Sequence, residues 1–353
     1  MGTESIEASF LSIFALISFF IFLIVSKFSH KFRNGALLDE DFFKPQAFHE
    51  TPVTRSGGIA VIISFSIFLV IYYLLYKKIL YDYIFISYSV FLIGFLDDLR
   101  ININPFKRLI IMVLLLFIFI NFLPIKILNI DIPLITSLMS NYIFSSIFVL
   151  LCFLFVINGA NLIDGFNGLL AINLIIINII LTYININNGN LEFSILLISQ
   201  IIILFSFLLF NFPNAKIFLG DSGAYTLGAM TALNTIITNN LNPSVSSFFF
   251  CTLLFYLFFE VFFSFFRKIL EKKSPIHPDN KHLHMLSFYK ISNFYGESRG
   301  NYLNSIIINF LYLILIVPGL YLMKDPQLSR YWFFILLLIY LLIYSGLYRL
   351  TKN

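Results

Sequence analysis

The sequence predicts an all-α polytopic membrane protein of about eleven transmembrane helices, with the N-terminus outside and the C-terminus cytoplasmic. Three observations predict it. Of 353 residues, 59% are hydrophobic and only 12% are charged, whereas a soluble domain carries about a quarter charged residues. The apolar residues fall in runs of the length a bilayer crossing needs, about 17–25 residues. Of 23 Lys and Arg residues, all but Lys77, Lys78, Lys126, Lys324 and Arg330 fall in alternate connections and the C-terminal tail, the asymmetry that sets orientation.

The spans lie near 8–28, 58–76, 80–96, 108–124, 142–158, 168–185, 191–211, 220–239, 246–266, 303–323 and 331–349. The first follows an acidic start, "MGTESIE", with no small-residue cleavage site after it, which argues for a retained span rather than a cleaved signal peptide. Ile6 stands where myristoylation needs Ser or Thr. With the N-terminus outside, the cytoplasmic loops are about 29–57, 97–107, 158–168, 211–219 and 267–302, and the chain is one integral membrane domain over 1–353. The net charge of +5 is then an excess on the cytoplasmic face, suited to headgroups and phosphates. No nucleic-acid-binding motif accompanies it. Cys152 and Cys251 both lie in spans, so neither a disulfide nor a zinc framework is expected.

Five polar stretches interrupt this pattern, all in loops that charge alone assigns to the cytoplasm. In "HETPVTRSGGIAV" (49–61), Pro52 and Gly57-Gly58 make a turn into the second span, with His49 and Arg55 beside it. An ordinary loop end explains it equally well. In "GFLDDLRININPFKRL" (94–109), Asp97 and Asp98 close the third span. Adjacent carboxylates need a cation, either a metal or nearby basic residues. A loop salt bridge is the plainer reading, although negative charge at a helix C-terminus opposes the macrodipole. In "NGANLIDGFNGLL" (158–170), Asn158, Asn161 and Asp164 share a face if the helix continues, and Gly159, Gly165 and Gly168 permit close approach. These groups suit Mg²⁺ coordination or a nucleobase, or simply a tight capped turn. In "NAKIFLGDSGAYTLGAM" (214–230), Lys216 and the helix start at Asp221-Ser222-Gly223 favour a phosphate, with Asp221 offering a carboxylate to a metal; plain N-capping is the alternative. The loop 267–290 holds His277, His282 and His284. Two of these are two residues apart rather than four, so no helical zinc pair forms, and contact with phosphate or sugar is the functional reading. Glu260, inside the ninth span and seven residues before Arg267, is a candidate by its position, with structural pairing to a basic neighbour preferred.

The order "FLDDLR", "NGANLIDGFNGLL", "KIFLGDSGAYTLG", "SPIHPDNKHLHM" resembles the polyprenyl-phosphate N-acetylhexosamine-1-phosphate transferases, in particular the bacterial undecaprenyl-phosphate GlcNAc-1-phosphate transferases of glycosyltransferase family 4. The resemblance runs from about residue 44 to 290. It implies a Mg²⁺-dependent enzyme, with Mn²⁺ as the alternative, in a bacterial inner membrane, its active site facing the cytoplasm. In such enzymes a polyprenyl phosphate attacks the sugar-bearing phosphate of a UDP-N-acetylhexosamine and UMP leaves, the first step in lipopolysaccharide O-antigen, teichoic acid and other cell-wall glycans. By motif, Asp97 and Asp98 would handle the lipid phosphate, and Asp164 would act in or beside the chemistry. Asn161 and Asp221 would contact the metal. Asn167, Phe218 and Gly165 would hold the nucleotide. Lys107, Lys216, His282 and His284 would meet phosphate or sugar. Asn167 stands where many members have Asp, Ala224 where Ser is common, and Met285 where a third His occurs. The missing histidine triplet favours a GlcNAc-type donor over the muramyl-pentapeptide. A homodimer is compatible with the sequence, which does not fix the oligomeric state. A secondary transporter is the rival from another class, but transporters break their helices near the midplane between repeated halves. Here the breaks lie at helix ends and no repeat is evident.

Overall fold

A computed structural model of the chain describes residues 3–39, 52–101, 103–128, 130–275 and 279–352; His49, His277 and Pro278 lie outside them. Fourteen α-helices are described: α1 (Thr3–Phe28), α2 (Gly57–Tyr76), α3 (Tyr81–Asp98), α4 (Pro105–Phe122), α5 (Pro133–Met139), α6 (Tyr142–Ile163), α7 (Leu169–Asn187), α8 (Leu191–Asn211), α9 (Gly220–Leu241), α10 (Ser247–Leu253), α11 (Phe255–Leu270), α12 (Leu283–Tyr295), α13 (Glu297–Leu322) and α14 (Pro326–Lys352). The one sheet among the described residues pairs β1 (Leu38–Asp39) antiparallel with β2 (Val53–Thr54).

Among the described residues, eight helices are long and apolar enough to cross a membrane, or nine if the bent pair α10 and α11 is one span. This is fewer than the eleven expected. The shortfall falls on α3 and α9, where apolar windows were also expected: α3 carries Asp82, Asp97 and Asp98, and α9 is built largely from Gly, Ala, Ser, Thr and Asn. Small residues let helix backbones approach closely. α9 is accordingly buried along most of its length, packed by α2, α3, α6 and α7.

Local chemistry explains where the helices start. Asn104 accepts the Phe106 N–H (2.9 Å) with Pro105 at the first helical position of α4, and Asn141 accepts from Ile143 and Phe144 to open α6. Both are N-cap arrangements. α6 runs on to Ile163, so the break expected from residue 158 is a short turn over 164–168. The expected ninth span is bent by 75° between α10 and α11, and α5 and α12 were not foreseen. Cys152 and Cys251 are free thiols, half-buried and exposed respectively.

Two glycine contacts bring the chemistry-bearing helix ends together. A Cβ on Gly94 of α3 would lie 2.4 Å from the Ser222 nitrogen at the start of α9, and one on Gly58 of α2 would lie 2.2 Å from Ser222 Oγ. Three helices thus meet at one corner, at a spacing no side chain would allow.

Candidate functional site

The corner is bonded as well as packed. Asp98, 1% exposed, accepts the Asp221 N–H (2.9 Å), the Ser222 N–H (3.0 Å) and the Ser222 hydroxyl (2.5 Å). All three donors belong to the first turn of α9, whose free N–H groups and dipole favour an anion. Gly220, at φ +75°, makes room for it: a Cβ there would sit 2.7 Å from both carboxylate oxygens. Asp98 is thus held by three donors of α9, one of them the backbone N–H of Asp221 itself.

Asp97, one residue earlier, faces outward. Arg108, in the first turn of α4, donates from Nη1 to Asp97 Oδ2 (2.6 Å) and to Asp221 Oδ2 (2.8 Å). One guanidinium thus serves two carboxylates from different helices, and all three side chains are partly exposed, at 19–28%. Arg108 also lies 5.6 Å from the centre of the Tyr225 ring, whose hydroxyl receives the Asn161 side-chain N–H at 3.4 Å. The expected Asn161, Asp97 and Asp221 are brought together. Arg108, which joins them, went unassigned in the sequence because Lys107 beside it took the phosphate role. The structure leaves Lys107 exposed on α4, and Lys216 exposed as well.

Asp164 follows α6 directly, is half-buried, and accepts no hydrogen bond from the described residues. Burial first, then the charges of Asp221 and Asp98, push its carboxyl well above the usual range, with Arg55 opposing them. Asn158, expected on the same face, bonds instead to the Leu154 carbonyl within its own helix (2.7 Å).

The turn after Asp164 is tied down from two sides. Asn167 donates its side-chain N–H to the Pro213 carbonyl (2.8 Å), and its backbone N–H meets Asn301 Oδ1 (2.8 Å). Asn211 accepts the Gly168 N–H (2.7 Å) and donates to the Ile217 carbonyl (2.9 Å). The turn and the 211–219 loop are therefore bonded to each other, at Pro213 and at Asn211. Gly165 borders open space, and Phe218 is half-exposed on a backbone bonded to Thr54 and Gly57 (2.8 Å each). Asn211 and Asn301 were missed because their partners are distant in sequence.

The two histidines are buried. His282 (2% exposed) stands between Glu260 Oε1 (3.1 Å) and Asp279 Oδ1 (3.3 Å). His284 (1% exposed) faces the Tyr256 hydroxyl (3.3 Å), and burial pushes its imidazole down to about 3; it is neutral and cannot act as a phosphate cation here. The cause is Glu260: a buried carboxylate needs donors, and it takes them from His282, Tyr340 and the Leu283 N–H. Arg267 instead holds Asp279 through two bonds (2.9 and 3.1 Å).

Two hard carboxylate oxygens converging on one cation fit a divalent ion of the Mg²⁺ type, which prefers oxygen ligands. Among the described residues, no three His, Cys, Asp or Glu side chains come close enough to hold a metal by themselves. Such an ion would complete its shell with water and substrate oxygens, as Mg²⁺ commonly does.

Comparison with known proteins covers this part of the chain. The family model described as glycosyl transferase family 4 matches residues 80–239, the stretch that contributes Asp97, Arg108, Asn161, Asp164 and Asp221. The chain is 28% identical over 282 residues to the undecaprenyl-phosphate alpha-N-acetylglucosaminyl 1-phosphate transferase of Thermotoga maritima, covering 78% of this chain and 80% of that one. It is 31% identical over 229 residues to the phospho-N-acetylmuramoyl-pentapeptide-transferase of Streptococcus sanguinis, covering 60% and 67%. A transferase of the same name from Streptococcus thermophilus is 34% identical over 154 residues, 41% of this chain and 45% of its own length. Matching motifs, a matching central region and a relative aligned over two thirds of its length lead to one conclusion: this chain belongs to glycosyl transferase family 4.

Proposed function

We propose that the protein transfers an N-acetylhexosamine-1-phosphate, GlcNAc-1-phosphate by preference, from a UDP-sugar to undecaprenyl phosphate on the cytoplasmic side of the membrane. An oxygen of the lipid phosphate attacks the sugar-bearing phosphorus, the bond from that phosphorus to the UMP oxygen breaks, and UMP leaves. The observation that carries the reading is the shared guanidinium of Arg108 between Asp97 and Asp221, at the meeting point of α3, α4 and α9.

Catalysis of such a transfer is mainly positioning and charge stabilisation. Asp221, with Asn161 and Asp97 beside it, would hold Mg²⁺, which supplies positive charge to the diphosphate. Arg108 carries a forked guanidinium donor suited to phosphate oxygens. Asp97 orients the attacking phosphate; a phosphate monoester is largely ionised at neutral pH, so no strong base is needed. Burial, with Asp221 and Asp98 nearby, raises the Asp164 carboxyl, which favours a form that donates a hydrogen bond; Asp221 is raised too, to about 8. Asn167, Phe218 and Gly165 would hold the uracil. Lys107 and Lys216 supply exposed positive charge at the entrance. His282 and His284 shape the loop wall behind the sugar.

The GlcNAc preference is supported by Met285, fully buried where a third histidine would stand in the pentapeptide branch, and by the alignment with the Thermotoga relative over most of both chains. The test is UMP release by purified protein from a panel of UDP-sugars, with and without undecaprenyl phosphate and Mg²⁺. Release that requires both, with UDP-GlcNAc as donor, is expected. Release only from UDP-muramyl-pentapeptide would overturn the donor, and none from any donor by folded protein would overturn the reaction.

A further inference from the structure

The strap formed by β1 and β2 borders the carboxylates and is welded to the loop that carries Asp221. Phe218 donates to the Thr54 carbonyl (2.8 Å), Gly57 to Phe218 (2.8 Å) and Gly58 to Leu219 (2.8 Å), and Arg100 of the α3–α4 connection donates to the Leu38 carbonyl. Arg55 sits on this strap, its backbone held by the Leu37 carbonyl (2.8 Å). Its Nε and Nη2 both donate to one oxygen, Oδ2 of Asp39, at 3.0 and 2.6 Å. One edge of the guanidinium is thus fixed by a carboxylate outside the cluster. The side chain is 27% exposed against 11% for Asp39, so the fork is more open than its anchor. Asp39 outweighs the cost of burial and keeps Arg55 charged, and Asp221 and Asp98 lie close enough to add to the effect.

The charge balance gives this residue a task. Arg108 pairs with Asp97 and Asp221, while Asp98 and Asp164 have Arg55 as the cation that acts on them. Arg55 is the second guanidinium in their field, and it is aimed by an anchor of its own. A planar guanidinium held along one edge keeps N–H donors on the other, the geometry that captures phosphate oxygens. We infer that Arg55, aimed by Asp39, is a phosphate-binding residue of this site, a second guanidinium acting beside Arg108. The assignment rests on the transferase reading. The phosphate belongs either to the polyprenyl phosphate or to the UDP-sugar, and the two are separated by measuring KM for each.

The experiment uses the full chain in detergent, with UDP-GlcNAc and undecaprenyl phosphate as probes. Arg55→Ala is expected to raise KM for one substrate about 10- to 100-fold, the range of one charged hydrogen-bonding pair, with a smaller change in kcat. Arg55→Lys should recover part of that loss. Asp39→Asn should raise the same KM in the same direction by less, because it loosens the aim and keeps the charge. The Tm of each variant is read in parallel, and Arg55→Lys serves if Arg55→Ala does not fold. A purely structural salt bridge predicts equal losses of Tm and activity in the Arg55 and Asp39 variants with both KM values unchanged; that result overturns the assignment. An inactive wild type would instead remove the transferase reading, and the assignment with it.

Discussion

The two ends of the helix bundle treat polar groups in opposite ways. At the Glu192 end, where α2, α7 and α9 finish and α3 and α8 begin, polar groups pair with each other. Glu192 is held by the Tyr72 hydroxyl and Lys78. Asn242 bridges Asn185 and Asn190, and Asp131 takes bonds from Ser246 and Ser247. Deeper in, Asn234 joins Tyr83, Asn178 and Gln200 at 2.6–3.0 Å. At the Asp98 end, two carboxylates share one guanidinium, Asp164 accepts no hydrogen bond from the described residues, and Lys107 and Lys216 stand exposed. Saturated polar networks rigidify; an end short of partners can still take a ligand. A cavity of about 490 Å³ lies at the Glu192 end, lined in part by Tyr72, Asp82 and Glu192, so empty volume alone does not locate the chemistry.

Substitutions on either side sharpen this contrast. The largest expected effect is that of Asp221→Asn, which should lower UMP release by about 10²-fold or more, the scale for losing one charge-organising group, with Tm nearly unchanged. A fall in Tm that matches the fall in rate would make Asp221 a structural residue instead. Asp98→Ala leaves three α9 donors without their acceptor, at about 1–3 kcal/mol for each buried group. Here Tm should drop first and activity should follow it, whereas a normal Tm with lost activity would return Asp98 to the chemistry. At the other end, Asn234→Leu orphans buried partners and should cost a comparable 1–3 kcal/mol or so, while molecules that fold keep the wild-type KM values. A changed KM there would break the division between the ends.

The smallest effect concerns pH. Asp279 is pulled below the usual aspartate range, Arg267 and His282 overcoming the opposite influence of burial. A lowered folded pKa stabilises above the unfolded value, near 3.9, and that contribution is lost as pH falls through the folded value. Protease resistance of the 271–283 loop should therefore be flat from pH 8 to about 5 and fall only below about 4. Weakening that began near pH 6 would remove Asp279 as the cause.

Much of this was legible in the sequence, for identifiable reasons. The helices announced themselves through apolar runs, and Asp97, Asn161 and Asp221 stood out as polar residues at the ends of greasy segments. What escaped were relations between segments. Nothing in "FKRL" says that Arg108 rather than Lys107 turns toward Asp97, because one residue is about 100° around a helix. The roles of Asp97 and Asp98 divide for the same reason: one faces the ligand space and the other the start of α9, and only the docking of α9 decides which. Glu260 was expected to pair with a basic neighbour, and it is His282, with Tyr340, that reaches it from elsewhere. The bend between α10 and α11 left no Pro or Gly to mark it.

The glycine corner also has a consequence for how this protein can vary. The chain has 16 glycines, and Gly57, Gly58, Gly94, Gly220 and Gly223 all stand where an added Cβ would come within 3.0 Å of a neighbour. Lipid-facing positions can exchange Ile, Leu and Phe at little cost, because hydrocarbon outside makes few shape demands. The corner cannot: even a methyl group there would push α2 or α3 off α9 and carry Asp221 away from Arg108. Sequence drift in this molecule is therefore funnelled to its perimeter, and the smallest residues in the chain are the least replaceable.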